Sequence, residues 1–445
     1  MKTDVAAKGI TEFLYDKTVL IMGFGREGRS TYNYIRKHMP GKPLVICDKN
    51  DIADEALSRD LNVRLVCGEN YTDIINDFDV VIKSPGIAVC DLCINDDVFV
   101  TCQTDLFMKY SPATKIGITG TKGKTTTSTL TYDILKAAGI NTCLVGNIGV
   151  PVLDIIDDSL DMIAVIEMSS HQLEFTRTSP HVAVLTNIYE EHLDHYNGFE
   201  GYVAAKMNIV KHQHVCDFFI RNREQDISQF IDPSLIKSQQ ILIGADEGCR
   251  DEFLASLIGI NPHLPGRQGA QDTFFAATAA GCLGVGNAAI KKGIESFEGI
   301  PHRLEFVGKY DGIDFYNDCI ATVPTAVMLG VDALERVNTL IIGGMDRGLD
   351  YSDFEKELSE SDIKNIICMP ETGYQIGDGL KKIPGVPESK NIIEVRDMKE
   401  AVDVSFDVTE KGKICLISPA ASSYNYYKNF EEKGDHFKAL VREHD

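Results

Sequence analysis

Gly117-Ile118-Thr119-Gly120-Thr121-Lys122-Gly123-Lys124-Thr125-Thr126 decides how this chain folds. It follows the β-rich apolar run Lys115–Thr119 and opens a helical stretch, Thr126–Ala138, so it reads as strand, glycine loop and helix in succession. Its end, Gly-x-x-Gly-Lys-Thr, is that of a phosphate-binding loop, although Ile118 stands where the strict pattern has its first glycine. Backbone N–H groups of such a loop cradle phosphates, a lysine reaches the terminal ones and a hydroxyl ligates Mg²⁺. A nucleoside triphosphate is therefore expected on Gly120, Thr121, Lys122, Gly123, Lys124, Thr125 and Thr126.

Downstream, Met162-Ile-Ala-Val-Ile-Glu167 is an apolar strand ending in a carboxylate, where a phosphate-loop sheet places another Mg²⁺ ligand. Thr186-Asn187-Ile-Tyr-Glu190-Glu191-His192-Leu-Asp194-His195 is denser in ligand-type side chains than a loop requires, and His192 is favoured for a metal role. His212 and His214 read as ordinary surface or core residues. Lys206, in Tyr202-Val-Ala-Ala-Lys206, reads from spacing alone as a solvated helix lysine.

Outward from this loop, short apolar runs alternate with helical stretches, which indicates parallel βαβ units. Thr18–Met22, Leu44–Cys47, Val63–Val66 and Val80–Ile82 form one series of expected strands. Lys115–Thr119, Thr142–Val145, Met162–Glu167 and Val182–Thr186 form a second. The third has a hairpin signal, Lys309-Tyr-Asp311-Gly312-Ile-Asp, then Thr339–Ile342, Asn365–Met369 and Ile414–Ser418. Seams at Tyr110–Thr114 and Glu298–Pro301 divide the chain into three expected α/β domains, 1–111, 112–300 and 301–445.

The first series carries its own glycine loop, Gly23-Phe-Gly25-Arg-Glu-Gly28, with Asp48 ending the next strand. The glycines permit close approach of a diphosphate to a helix N-terminus, and Asp48 falls about where a ribose would be met. NAD and a UDP-sugar offer the same diphosphate and ribose, and a βα turn without ligand fits the pattern equally.

Composition bounds the possibilities. The 445 residues include 44 Lys+Arg and 66 Asp+Glu, a formal charge of −22, which argues against a general nucleic-acid binder. Hydrophobic residues at 44% and charged residues at 25% are ordinary globular usage. No apolar run has the length of a membrane span, and the first residues lack a signal-peptide core, so a cytoplasmic protein without membrane insertion is expected. The 12 cysteines are scattered, as suits a reducing compartment, and the one CxxC, Cys90 and Cys93, has no second pair at zinc spacing.

Taken in order, the motifs resemble those of the Mur ligase family, the ATP-dependent amide ligases of peptidoglycan precursor synthesis. The resemblance runs through Gly120–Thr125, Gly146-Asn147-Ile-Gly149, Glu167-Met-Ser-Ser-His-Gln-Leu-Glu174, His192-Leu-Asp194 and Ala205-Lys206. It continues through Pro301-His302-Arg303-Leu-Glu305, Asn317-Asp318, Gly343-Gly344, Ser418-Pro-Ala-Ala-Ser422 and Tyr427-Lys-Asn-Phe430-Glu-Glu, nearly the whole chain.

That resemblance implies a Rossmann-like N-terminal domain holding a UDP-sugar, a P-loop ATPase-like central domain binding ATP and a Rossmann-like C-terminal domain bringing the amino acid. It implies two Mg²⁺ ions, one on Thr125 and Glu167 and one served by His192 and a CO₂-carboxylated Lys206. The catalytic residues would be Lys124, Lys206, His302 and Arg303, with Asp272, Arg303 and Asp318 completing the ATP site. Gly23, Gly25, Arg26, Gly28, Asp48, Ser84, Pro85, Gly86 and Asn147 would hold the UDP-sugar. Thr322, Arg347, Ser418 and Phe430 would hold glutamate, and the implied acceptor is UDP-N-acetylmuramoyl-L-alanine, handled by a monomer.

Three positions depart from the family pattern. Ile320 replaces a cation in Asn317-Asp318-Cys319-Ile320-Ala321-Thr322-Val323, so D-glutamate and L-glutamate both stay open, with Arg347 as a compensating cation. Asp272 ends Gly266-Arg267-Gln268-Gly269-Ala270-Gln271-Asp272 where the family has Asn beside adenine. Gln103-Thr104-Asp105 replaces a Gly-acid pair. The competing readings are a ligase with another acceptor, as in folylpolyglutamate synthetases, an NAD-binding dehydrogenase built on Gly23–Gly28, and a silent nucleotide-binding protein.

Overall fold

The computed structural model describes residues 4–191, 193–246, 251–334 and 336–444, with backbone alone at 4–7, 193 and 194. Its strands gather into three sheets. The first holds β1 (Val19–Met22), β2 (Leu44–Asp48), β3 (Val63–Cys67), β4 (Val80–Lys83) and β5 (Phe99–Thr101), all parallel in the order β3-β2-β1-β4-β5. The second holds β6 (Thr114–Thr119), β7 (Thr142–Gly146), β8 (Ile163–Glu167), β9 (Val182–Leu185), β10 (Phe218–Asn222) and β11 (Gln239–Ile243). It too is parallel, in the order β11-β10-β9-β6-β8-β7.

The third sheet runs β12-β13-β17-β14-β15-β16, from β12 (Glu305–Tyr310), β13 (Ile313–Asn317), β14 (Val337–Gly344), β15 (Asn365–Glu371), β16 (Asn391–Glu394) and β17 (Ile414–Ile417). Of its described strands, β12 and β13 alone pair antiparallel, through the expected hairpin. Its two turn residues, Asp311 and Gly312, both have positive φ (50° and 83°), which suits the twist of a tight two-residue connection.

Parallel strands are covered on both faces, so they read as unbroken apolar runs rather than alternating ones. β1, β9 and β17 are buried at every position. In the first two sheets the strand order reverses at β1 and β6, and each glycine loop follows the carboxyl end of that strand, where open α/β sheets leave a crevice for ligands. The helix after the phosphate-type loop begins at Lys124, two residues before the expected start, because Gly123 at φ 81° turns the chain directly into it.

The chain divides into two compact units, residues 1–257 with 271–296, and residues 258–270 with 297–445. The first unit holds two sheets because one apolar cluster runs through both, from Ile21, Ile46 and Ile82 to Val145, Ile166 and Leu185. In the second unit each face of the sheet has its own cluster, one around Leu340, Ile366 and Leu416 and the other around Phe315, Ile341 and Phe437. Among the described residues no helix is long and apolar enough to cross a membrane. The described cysteines are free, with Cys90 and Cys93 exposed.

Candidate active site

The glycine loop after β6 is held from below. Gly120 sits at φ 152°, a region open to glycine, and a Cβ there would run into the Thr186 hydroxyl. Asn187 pairs with Lys122 twice: its Oδ1 accepts from the Lys122 N–H at 2.8 Å and its Nδ2 donates to the Lys122 carbonyl at 3.1 Å. The Thr121 N–H donates to the Asn187 carbonyl at 2.9 Å, and the Thr121 hydroxyl meets that of Tyr202 at 2.9 Å. These bonds take up the outer side of the loop. The helix Lys124–Ala137 begins at Gly123 without a side-chain cap, and the amino end of a helix favours an anion. Lys124 Nζ donates to the Thr121 carbonyl at 2.9 Å, which folds the cation back over the loop.

Glu167 ends β8 fully buried. Its Oε1 accepts from Asn147 Nδ2 at 2.7 Å, while Oε2 has no partner among the described residues. A buried carboxylate oxygen left bare is costly unless a cation reaches it. Magnesium keeps several waters and takes one or two carboxylates besides substrate phosphates, so Glu167 with the Thr125 hydroxyl is a fitting donor set. Correspondingly, among the described residues no three His, Cys, Asp or Glu side chains form a cage of their own. His192, the other expected metal ligand, lies outside the described residues.

Lys206 is not a solvated lysine. It is 1% exposed, its Nζ donates to the Gly120 carbonyl at 2.7 Å, and it stands 4.8 Å from the centre of the Tyr202 ring. Burial, and then the charge of Lys124, hold its ammonium well below the usual lysine range. An amine so placed is readily neutral and therefore nucleophilic, which is what addition to CO₂ requires. In the same unit Asp272 is 2% exposed, with Oδ1 3.4 Å from the Thr127 hydroxyl on the phosphate-loop helix.

The first glycine loop is closed by Asp48 and Ser84. Asp48 Oδ2 accepts from the Phe24 N–H at 2.8 Å and Oδ1 from the Asn50 N–H at 2.9 Å, so this carboxylate shapes the loop from within. Ser84 Oγ donates to the Gly23 carbonyl at 3.0 Å, and Gly25 and Gly86 face open space. Arg26, expected toward the UDP-sugar, donates to the carbonyls of Gly146, Asn147 and Gly149 at 3.1–3.2 Å, at the end of β7 and on the loop after it.

Lys83 and Glu174 carry a link that the sequence reading did not single out. Lys83 Nζ lies 3.2 Å from Glu174 Oε2, and the same oxygen meets His195 Nε2 at 3.3 Å. Burial pushes the Glu174 carboxyl up, but the His195 hydrogen bond and the Lys83 charge outweigh it and bring it below the usual range. The sequence signal was a lysine ending an apolar strand immediately before Ser84-Pro85-Gly86.

The second compact unit holds its own constellation. His302 adopts φ 62° and is buried, with Nδ1 3.0 Å from Asn317 Nδ2 and its ring 5.9 Å from that of Phe430, edge to face. Burial, then the charge of Lys438, lower its pKa and favour the neutral imidazole. Asp318 is buried and accepts from the Leu304 N–H at 3.2 Å and from the Ser418 hydroxyl at 2.9 Å; burial pushes its carboxyl up to about 6. Arg303 and Arg347 are exposed, and Thr322 is half-buried.

A sheet whose glycine loop opens a helix beside a bare buried carboxylate and a buried amine defines a nucleotide-handling α/β protein. Comparison with known proteins is more specific. The Mur ligase middle domain matches residues 118–257, and the Mur ligase glutamate ligase domain matches residues 302–421. A protein of Clostridium botulinum (strain Okra / Type B1) named UDP-N-acetylmuramoylalanine–D-glutamate ligase is 30% identical, covering 97% of each chain. One of the same name from Lactobacillus acidophilus is 33% identical, covering 96% of this chain and 98% of its own. This chain belongs to the Mur ligase family.

Among solved structures, UDP-N-acetylmuramate-alanine ligase MurC of Thermotoga maritima superposes with a TM-score of 0.54 at 16% identity, covering 96% of this chain and all of its own. MurF ligase of the same organism, solved with ADP, gives 0.54 at 16%, covering 96% and 95%. Both share the fold. The relatives are named as ligases, which leaves the dehydrogenase reading of Gly23–Gly28 without support.

Proposed function

We propose that this protein is an ATP-dependent acid–amino-acid ligase that joins D-glutamate to UDP-N-acetylmuramoyl-L-alanine in peptidoglycan precursor synthesis. The observation carrying this reading is similarity along almost the whole chain to ligases of that name, at 30% and 33% identity. The domain limits 1–111, 112–300 and 301–445, a monomeric state and a cytoplasmic location belong to the same proposal.

The reaction runs in two steps. A carboxylate oxygen of the acceptor attacks the γ-phosphorus of ATP, and ADP leaves. The glutamate amine then attacks the acyl carbon, loses a proton, and phosphate departs with the C–O electron pair. A carboxylate is a poor acylating agent, so ATP supplies the leaving group, and the protein's task is to position anions and neutralise their charge. Lys124 and the backbone N–H groups after Gly123 serve the phosphates, with Arg303 as a further cation. Thr125 and Glu167 would hold one Mg²⁺, and His192 with a carboxylated Lys206 the second; when bound, the ions neutralise phosphate oxygens. Asp272 and Asp318 serve the nucleotide, His302 the reacting groups, and Thr322, Arg347, Ser418 and Phe430 the glutamate. Gly23, Gly25, Gly28, Ser84, Pro85, Gly86 and Asn147 serve the UDP-sugar.

The test is phosphate release from ATP with UDP-N-acetylmuramoyl-L-alanine and D-glutamate, L-glutamate or no amino acid. Release with D-glutamate alone is expected. Release with L-glutamate alone would assign the other chirality, which Ile320 makes the specific competitor. No release with either would overturn the ligase reading.

A further inference from the structure

Lys83 is a cation withdrawn from water and surrounded by oxygens. Its side chain is 0% exposed. Nζ donates to the carbonyl of Ile87 at 2.6 Å and of Pro85 at 3.2 Å, lies 3.5 Å from that of Ser84, and faces Glu174 Oε2 at 3.2 Å. One ammonium thus gathers the turn Ser84–Ile87, which leaves β4, and fixes it to the segment that leaves β8.

Desolvating both ions works against such a pair, and an apolar side chain would fill the volume more cheaply. What an apolar side chain cannot do is hold the carbonyls of one turn inward at once. With them turned in, Ser84 Oγ reaches the Gly23 carbonyl of the first glycine loop, and a Cβ on Gly86 would meet nothing within 4 Å. The segment leaving β8 is also tied to that loop, since Gln172 Nε2 donates to Glu27 Oε1 at 2.7 Å.

We infer that Lys83 and Glu174 are positioning residues for the UDP-sugar acceptor: Lys83 moulds the Ser84–Ile87 turn, and Glu174 holds Lys83 in place. The inference rests on the proposed acceptor. Neither side chain is assigned a contact with it.

The experiment uses the full chain as Lys83→Met, Glu174→Gln and the double variant. Acceptor binding is read by calorimetry with UDP-N-acetylmuramoyl-L-alanine, KM for acceptor and for ATP by phosphate release, and Tm by calorimetric scan. Lys83→Met should raise the acceptor KM about tenfold or more while the ATP KM stays within about twofold. Lys83→Met leaves Glu174 with His195 alone and Glu174→Gln leaves the buried Lys83 ammonium without its carboxylate, so each single variant lowers Tm. The double variant should recover part of the lost Tm, since no charge is left without its partner, yet keep the weakened acceptor binding, because nothing then serves the carbonyls. Acceptor binding restored together with Tm would reduce the pair to a structural ion pair and overturn the inference. If the unaltered protein binds no acceptor, the proposed function falls and this inference with it; binding by the unaltered protein and equally by all variants removes this inference alone.

Discussion

The Ser418 hydroxyl donates to Asp318 Oδ2 at 2.9 Å, joining the carboxyl ends of the adjacent strands β17 and β13. The family resemblance gives these residues to different ligands, glutamate and the nucleotide, yet they form one polar unit. With its proton directed at Asp318, Ser418 Oγ is left with lone pairs alone. It can then accept from an ammonium but cannot donate to a carboxylate, which points it at the amine end of an incoming amino acid.

Asp318 also sets a pH dependence. Burial raises its carboxyl from 3.8 to about 6, so ionisation is harder folded than unfolded. Below about pH 4 the group is protonated in both states and costs nothing. As pH rises through the unfolded value toward about 6, the unfolded chain releases this proton first and stability falls. Asp318→Asn keeps an acceptor without the charge. It should gain on the order of 2 kcal/mol at pH 8 and almost nothing at pH 4. Denaturant titrations across that range check it, and a gain independent of pH would count against burial as the cause.

Gly120→Ala should damage the phosphate-type loop. The added methyl would meet Thr186 Oγ1, and φ 152° is strained for any residue with a Cβ. A loss of about 2–4 kcal/mol is expected from strain and overpacking together. Gly25→Ala is the control, because it meets nothing within 4 Å and its φ is −73°. Thermal scans of both variants should separate them clearly.

How much of this was legible beforehand follows from distance along the chain. The phosphate-type loop, Glu167 at its strand end and the Asp311-Gly312 hairpin are local patterns, readable from a few neighbouring residues. β5, β11 and β16 escaped because they are sheet edges, short or carrying polar residues, as Gln239-Gln240 shows. β10 escaped because its apolar run, Phe218-Phe219-Ile220, is three residues long before Arg221-Asn222. Lys206 was misread from spacing, since a helix pattern does not reveal that Tyr202 and Gly120 enclose its amine. The family resemblance corrected that reading. Contacts such as Lys83 with Glu174, or Arg26 with Gly146, join residues from different sheets, and no local pattern announces them.

Arg26 offers a direct test of one such contact. If its role is to cross-link the first glycine loop to the loop after β7, Arg26→Ala removes three partly exposed hydrogen bonds and should cost about 1 kcal/mol. The acceptor KM should then move less than about threefold. A diphosphate-binding arginine would behave in the opposite way, with little change in Tm and acceptor affinity weakened by well over tenfold. Calorimetric Tm and acceptor KM, measured on the same preparation, decide between them.

Lys206→Ala tests the centre of the proposed chemistry. Burial that holds the Lys206 amine below the usual lysine range favours the free base that attacks CO₂, and the resulting carbamate would offer oxygen ligands suited to Mg²⁺. The alanine variant should lose turnover by more than about a hundredfold while remaining folded, because truncation removes a polar group whose burial was itself a cost. Short carboxylates such as acetate or formate should restore part of the rate by placing an oxygen anion in the vacated volume, whereas chloride at equal ionic strength should not. Phosphate release under these three conditions separates a carbamate from a lysine acting as a simple cation: rescue by carboxylate alone fits the carbamate. Full activity in the unrescued variant would remove Lys206 from the reaction.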